Sequence, residues 1–192
     1  MNVVTHALSV WPFAVSGLAT RRDRALVVAA AMLPDLDGIG IVVDFVTRQS
    51  AALADTDYYQ RFHRVYRHGL PAALAITLLC ASLAIERKRV ALLAFLAVHL
   101  HLLGDLLGSR GMEAESIWPV PYLSPFSDAL TLSWSGQWPL VGWQNTSITL
   151  AFVVIALWLG IRLGATPTQL FSPRADLRVV AALRARFRSS GA

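Results

Sequence analysis

Five stretches of this chain are too long and too apolar for an ordinary soluble domain, and they decide what it can fold into. They run over residues 3–20, 25–46, 69–85, 90–107 and 146–164. About 20 apolar residues of helix cross the hydrocarbon core of a bilayer, and in lipid only a structure that pairs every backbone N–H and C=O internally is tolerated. The expected fold class is all-α: a polytopic membrane helix bundle of about four to five spans. With 55% hydrophobic and 15% charged residues among 192, the chain is too apolar for an ordinary soluble domain and is expected to be an integral membrane protein. No basic residue precedes the apolar stretch starting at Val3, and His6 interrupts it, so a cleaved secretory signal is not expected. The single cysteine, Cys80, lies in an apolar run and is read as packing.

The second segment is interrupted. Pro34 in "MLPDLDGIG" removes a backbone donor and disfavours helix at Leu33, and Gly38 and Gly40 loosen the backbone beyond it, so a break at Pro34 is expected. Basic residues cluster as Arg21, Arg22 and Arg24, as Arg87, Lys88 and Arg89, and along the tail from Arg162 to Arg188. Alternating spans put all three clusters on one side, which the positive-inside rule makes cytoplasmic. Arg48, Arg61, Arg64, Arg67 and Arg110 are then left outside, with the loops 47–68 and 108–145. The second of these carries Trp118, Trp134, Trp138 and Trp143, as a segment at headgroup level does, and "ALTLSW" and "PLVGW" around a Ser-Gly-Gln turn suggest a small hairpin. That loop is either an interfacial anchor or a lid over a substrate path.

The chain is divided into a membrane-embedded part, residues 1–170, and a basic cytoplasmic tail, residues 171–192. In the tail, Leu177, Val180, Leu183 and Phe187 share one face of a surface helix with arginines elsewhere, which suits the anionic inner leaflet. Membrane lipids are thus expected partners and nucleic acid is not.

Ionisable side chains inside spans are costly and mark a pathway, a pair or a metal. Here they are His6, the Asp35 and Asp37 pair, His63 and His68 just before the third segment, and His99, His101 and Asp105 in "VHLHLLGDLLG". At about 100° per residue, His101 and Asp105 share a helix face while His99 points elsewhere. His101 and Asp105 are therefore assigned to a site, or else to a private hydrogen-bonded pair, and His99 to a supporting hydrogen bond. Asp35 and Asp37, on a non-helical backbone after Pro34, point the same way and repel unless a cation lies between them; the alternative is a turn capped by Asp37. His63 and His68 converge only if the chain between them is not regular helix, and are otherwise interfacial groups. The topology puts all of these at one depth in four of five spans. Imidazole and carboxylate donors in this number suit zinc or a similar divalent metal, one to three ions, held by His6, Asp35, Asp37, His63, His68, His101 and Asp105.

The order of these motifs resembles the YdjM-like family of membrane-bound metal-dependent hydrolases. Its pattern of an early histidine, LPDxD, HRGxTHS and a late H-x-x-x-D is matched by "VTHAL", "LPDLD", "HRVYRHGL" and "HLLGDLLG", with "SPFS" later, over about residues 5–127. Val65, Arg67 and Gly69 stand where the pattern has glycine, threonine and serine. Hydroxyl groups are therefore missing there, and either Arg67 adds an anion-binding group or the chemistry of this branch is altered. The resemblance implies a metal-dependent hydrolase in the prokaryotic inner membrane. A phosphoester of a lipid or lipid-linked molecule is the expected substrate, with metal-activated water as nucleophile, Arg64 holding phosphate with Arg67 as second candidate, and Asp37 or Asp105 as general base. The alternative is a transporter, or a scaffold protein, whose His/Asp cluster holds a structural metal or relays protons.

Overall fold

The computed structural model describes residues 1–50, 56–59 and 65–188. Asn2 opens helix α1 (Val3–Gly17), its side chain accepting from the Thr5 N–H at 2.9 Å, and Thr20 opens α2 (Arg21–Met32) in the same way with the Asp23 N–H. These are the side-chain oxygens that satisfy first-turn donors. At Pro34 the α-helix gives way to a 3-10 turn, Leu33–Ile39, before α3 (Gly40–Gln49) resumes. The break is where the sequence places it, but the backbone is 3-10 helical. The extended backbone expected after Pro34 is therefore corrected: Leu33–Ile39, which includes Asp35, is a 3-10 turn. The remaining α-helices among the described residues are α4 (Leu70–Leu83), α5 (Arg87–Gly108), α6 (Trp143–Leu163) and α7 (Pro173–Arg188).

The molecule is mostly helical. Three stretches are long and apolar enough to cross a membrane by length and composition: Arg21–Gln49, Arg87–Gly108 and Trp143–Leu163. Helices α1 and α4 are apolar but shorter, at 15 and 14 residues. Helix α5 is central, packing on α4, α2 and α1, while α6 packs mainly on α1. Small residues let these backbones approach: Ala14, Ala30, Ala31, Ala73, Ala94 and Ala97 are all buried, as expected where van der Waals packing rather than hydrophobic exclusion joins helices in lipid.

The bundle has two unlike ends. At one, the α1–α2 and α4–α5 turns and the end of α6 bring the basic clusters together. Arg24 donates to the Leu18 carbonyl, Arg21 to Leu170 O and Arg184 to Ile161 O, so guanidinium groups neutralise the last carbonyls of neighbouring turns. Asp23 is fully buried there and accepts from the Ile85 and Glu86 N–H groups, both at 2.9 Å, ahead of α5. Helix α6 stops at Gly164, whose φ of 78° is the left-handed conformation that favours glycine. In α7, Val180 is buried while Leu177 and Phe187 are exposed.

The opposite end holds α3 and the tryptophan-rich segment. The observed hairpin pairs Val120–Pro121 with Thr131–Leu132, so only the "ALTLSW" half of the expected one forms a strand. The "PLVGW" half is used otherwise: Pro139 bridges Arg110, and Leu140 N–H donates to Arg110 O at 2.9 Å. The reason is the end of α5. Its last carbonyls have no intrahelical partners and are met by this segment: Gln137 Nε2 donates to Asp105 O and Leu106 O, Trp138 N–H to Leu107 O, and Asn145 Nδ2 to Gly108 O.

Candidate metal centre

Capping α5 in this way fixes its last two turns, and these carry the site. His101 and Asp105 face the same direction, as helical spacing requires, and His101 Nε2 lies 3.4 Å from Asp105 Oδ2. His101 Nδ1 sits 2.8 Å from the Ala31 carbonyl of α2. A carbonyl only accepts, so Nδ1 carries a proton, and Nε2 is the ring nitrogen that faces Asp105. His68, on the turn before α4, brings its Nε2 to 3.2 Å from His101 Nε2 and 3.4 Å from Asp105 Oδ2. His6, one turn into α1, stacks its ring on His101 with centroids 3.8 Å apart and places Nε2 3.3 Å from Asp105 Oδ1. Asp35 arrives from the 3-10 turn, its Oδ1 3.6 Å from His101 Nε2 and 3.8 Å from His68 Nε2.

Four elements thus deliver imidazoles and carboxylates to one point. Ligand atoms of His6, Asp35, His101 and Asp105 all lie within 4.8 Å of one another, and this cluster could hold a metal ion. His68 and His101 are fully buried and His6 and Asp105 are 2% exposed, whereas Asp35 is 15% exposed. Asp35 therefore forms the open side. A cavity of about 350 Å³, lined by Asp35, Gly38, Tyr59, Asp105, Ser109 and Trp118 among others, leads to the two carboxylates.

The donor set fits a cation. Asp35 Oδ2 is buried with no hydrogen-bond partner among the described residues, and an unpaired buried carboxylate oxygen is costly unless an ion meets it. Two imidazole nitrogens face each other at hydrogen-bond distance beside two carboxylates, and the His101 ring is held from behind by a backbone carbonyl, the usual outer support of a ligating histidine.

A family model, YdjM inner membrane protein, matches residues 1–181. The chain belongs to the YdjM inner membrane protein family. With its apolar candidate spans, it is an inner-membrane protein. Neither the curated proteins nor the solved structures hold a match to it.

Of the seven metal ligands expected in this YdjM-family chain, His6, Asp35, His68, His101 and Asp105 come together. His63 lies outside the described residues, as does Arg64. Asp37 belongs to the same 3-10 turn as Asp35, and its side chain is not described. His99 stays out of the cluster: its Nδ1 donates to Phe95 O at 2.8 Å, and its Nε2 lies 2.9 Å from the Tyr122 hydroxyl, tying α5 to the hairpin. The departure at position 69 has a local cause. A Cβ on Gly69 would come 2.6 Å from Tyr122 O, which also accepts from the Leu70 N–H at 2.7 Å.

Sequence reasoning missed four supporting residues. Ser109 Oγ donates to Asp105 Oδ1 at 2.8 Å, and the Met1 amino group contacts the same oxygen and Ser109 Oγ. Gly104 lets His6 lie against α5, since a Cβ there would sit 3.1 Å from His6 Cε1. Gln137 is buried and holds the Trp118 N–H, as well as Trp118 O and the end of α5. Only Ser109 carried a signal, four residues after Asp105 on the same face. Asp44, a carboxylate inside the second apolar segment, was also overlooked; it accepts from Thr56 Oγ1 and the Tyr58 and Tyr59 N–H groups, fastening residues 56–59 to α3.

Proposed function

We propose that this protein is a membrane-embedded, metal-dependent hydrolase that cleaves a phosphoester of a lipid or lipid-linked molecule. The observation that carries the reading is the convergence of three imidazoles and two carboxylates, with a buried oxygen of Asp35 lacking any other partner among the described residues. Zinc suits such nitrogen and oxygen donors. Asp105 turns Oδ2 toward His68 and His101 and Oδ1 toward His6, so together with these histidines it would hold the ion. A bound divalent ion would lower the pKa of a water toward neutrality and offset charge on the leaving oxygen.

The chain's own residues supply the rest. His101 is locked in one tautomer by Ala31 O, and Ser109 orients Asp105. Asp37, beside Asp35 on the 3-10 turn, is assigned the role of general base, since Asp105 is already engaged by three histidines. Arg64 holds phosphate oxygens, for which a planar guanidinium is suited. Depth supports a lipid substrate: from Arg87 to His101 the rise of α5 is about 21 Å, so a hydrocarbon core of about 30 Å that begins near the basic end still encloses the site.

A transport path would need ionisable groups beyond the site. Between the site and the buried Asp23 at the basic end, the core is instead an apolar stack of Val10, Trp11, Ala14, Val27, Ala30 and Ala94. Metal analysis of detergent-purified protein and of Asp35→Ala and His101→Ala tests the site: bound metal in the wild type and its loss in both variants is expected. Substoichiometric metal, equal in all three, would sink it. Phosphate release from mixed lipids then tests the substrate, and an inactive metal-loaded wild type would undo that assignment.

A further inference from the structure

Beside the cluster, but on the lipid-facing flank rather than the loop-covered end, two recesses meet. One, of about 630 Å³, is lined by Leu36, Ile39, Gly40 and Val43, and the other, of about 310 Å³, by Leu33, Ala72, Ala75, Ile76 and Leu79. Leu36, Tyr66 and Arg67 line both, so they form one groove between the 3-10 turn with α3 on one side and α4 on the other. Three features separate it from ordinary lipid-facing surface. Positions 72, 75, 76 and 79 recur at the spacing of one helix face, and alanine at two of them hollows that face. The groove's charged lining residue is Arg67, at the junction of the two recesses. And the residues at that junction are chain neighbours of the cluster, Leu36 following Asp35 and Arg67 preceding His68.

We infer that this groove seats an acyl chain of an anionic phospholipid that enters sideways from the bilayer, with Arg67 engaging its phosphate beside the Asp35 and His68 edge of the cluster. The inference rests on the hydrolase reading only for the later fate of that phosphate. An apolar trough ending at one guanidinium matches a molecule with a hydrocarbon chain ending at one anion, and a charge of that kind at membrane depth is tolerated where it meets a partner. From Ala72 to Leu79 the trough follows α4 for about 10 Å, so the chain lies along the bundle while the phosphate stays at the level of the ligands. The aqueous reactant has a separate route, the cavity that reaches Asp35 and Asp105 beside Ser109 and Trp118.

The test is photocrosslinking of the full-length protein in phosphatidylcholine vesicles. One probe is a phosphatidic acid with a diazirine midway along its acyl chain; the other is the matching diacylglycerol. The expected adducts of phosphatidic acid map to Leu33–Val43 and Tyr66–Leu79. They drop to background in Ala75→Trp, or in Leu79→Trp should the first variant fail to fold. Arg67→Gln lowers phosphatidic acid labelling about tenfold, the loss of one charge-assisted contact, and leaves diacylglycerol labelling unchanged. Adducts spread over the exposed faces of α5 and α6 and indifferent to the tryptophan variants, or equal labelling by both probes, would overturn the inference. Labelling needs no turnover, so loss of the hydrolase reading leaves it interpretable. Conversely, a groove that fails this test, in a protein that still cleaves a short-chain phosphoester, would sink the groove alone.

Discussion

Asp105 is the residue on which the cluster turns. It sees three histidines, Ser109 and the Met1 amino group, and its own helix supplies one histidine and the serine at the four-residue spacing that keeps side chains on one face. The neighbours that make no contact with a ligand still set its position. Gly104→Ala would place a methyl 3.1 Å from His6 Cε1, so the ring that faces Asp105 Oδ1 must give by a few tenths of an ångström. The expected result, by titration calorimetry in detergent, is metal affinity lowered about tenfold with the fold retained, the scale of changes to outer support; an unaltered affinity would remove His6 from the ligand set. Ser109→Ala deletes one hydrogen bond to a charged oxygen and is expected to cost about 1.5–3 kcal/mol of stability while metal still binds, read by thermal unfolding of the loaded and stripped protein.

At the level of elements, the site exists because several helices stop at one height while α5 continues through it. Helices α1 and α4 begin at this level and α2 ends there, at Pro34; with 12 to 15 residues each, none reaches the full thickness of a bilayer as regular α-helix. The space they leave is filled by the 3-10 turn, α3 and the tryptophan-rich segment, irregular backbone of the kind tolerated at depth only when protein or water covers it. Gln137 is the pin of that cover. Replacing it with alanine strands the carbonyls of Asp105, Leu106 and Trp118 and the Trp118 N–H. An expected loss of about 1–3 kcal/mol for each buried group left unpaired should lower the apparent melting temperature and loosen metal binding together. Stability lost with metal affinity unchanged would mean that the cap does not position the site.

The whole molecule is a bundle polarised between a basic end and a ligand end. The basic clusters that the sequence offers as a topology signal lie together at the end away from the His/Asp cluster, where Arg21, Arg24 and Arg184 bond to carbonyls of neighbouring turns and Arg89 pairs with Glu86. We propose that this end is cytoplasmic, by the positive-inside rule. Cysteine labelling tests the orientation, because Cys80 is buried and contributes little background. On intact spheroplasts an impermeant maleimide should label Ser116→Cys and spare Arg178→Cys; the opposite pattern would reverse the protein in the membrane.

Much of this was written in local order. The lengths of the apolar runs, the break at Pro34, the shared face of His101 and Asp105 and the exclusion of His99 all stem from helix period and proline chemistry, which act within a few residues. The cost of ionisable side chains in apolar spans put His6, Asp35 and His68 on the same list. What the sequence alone could not decide was contact between distant segments: that Ala31 O fixes the His101 tautomer, that Gly104 makes room for His6, and that Gln137 and Asn145 terminate α5. These depend on which backbone groups face each other once helices are packed, and no spacing along the chain encodes that. The hairpin went astray for the same reason, since Pro139 and Leu140 were drawn to unpaired groups at the end of α5 rather than to a neighbouring strand. The sequence by itself therefore determined a membrane bundle and the donors for a metal. Tertiary structure decided that five of those donors meet, because only packing brings residues 6, 35, 68, 101 and 105 within reach of one another.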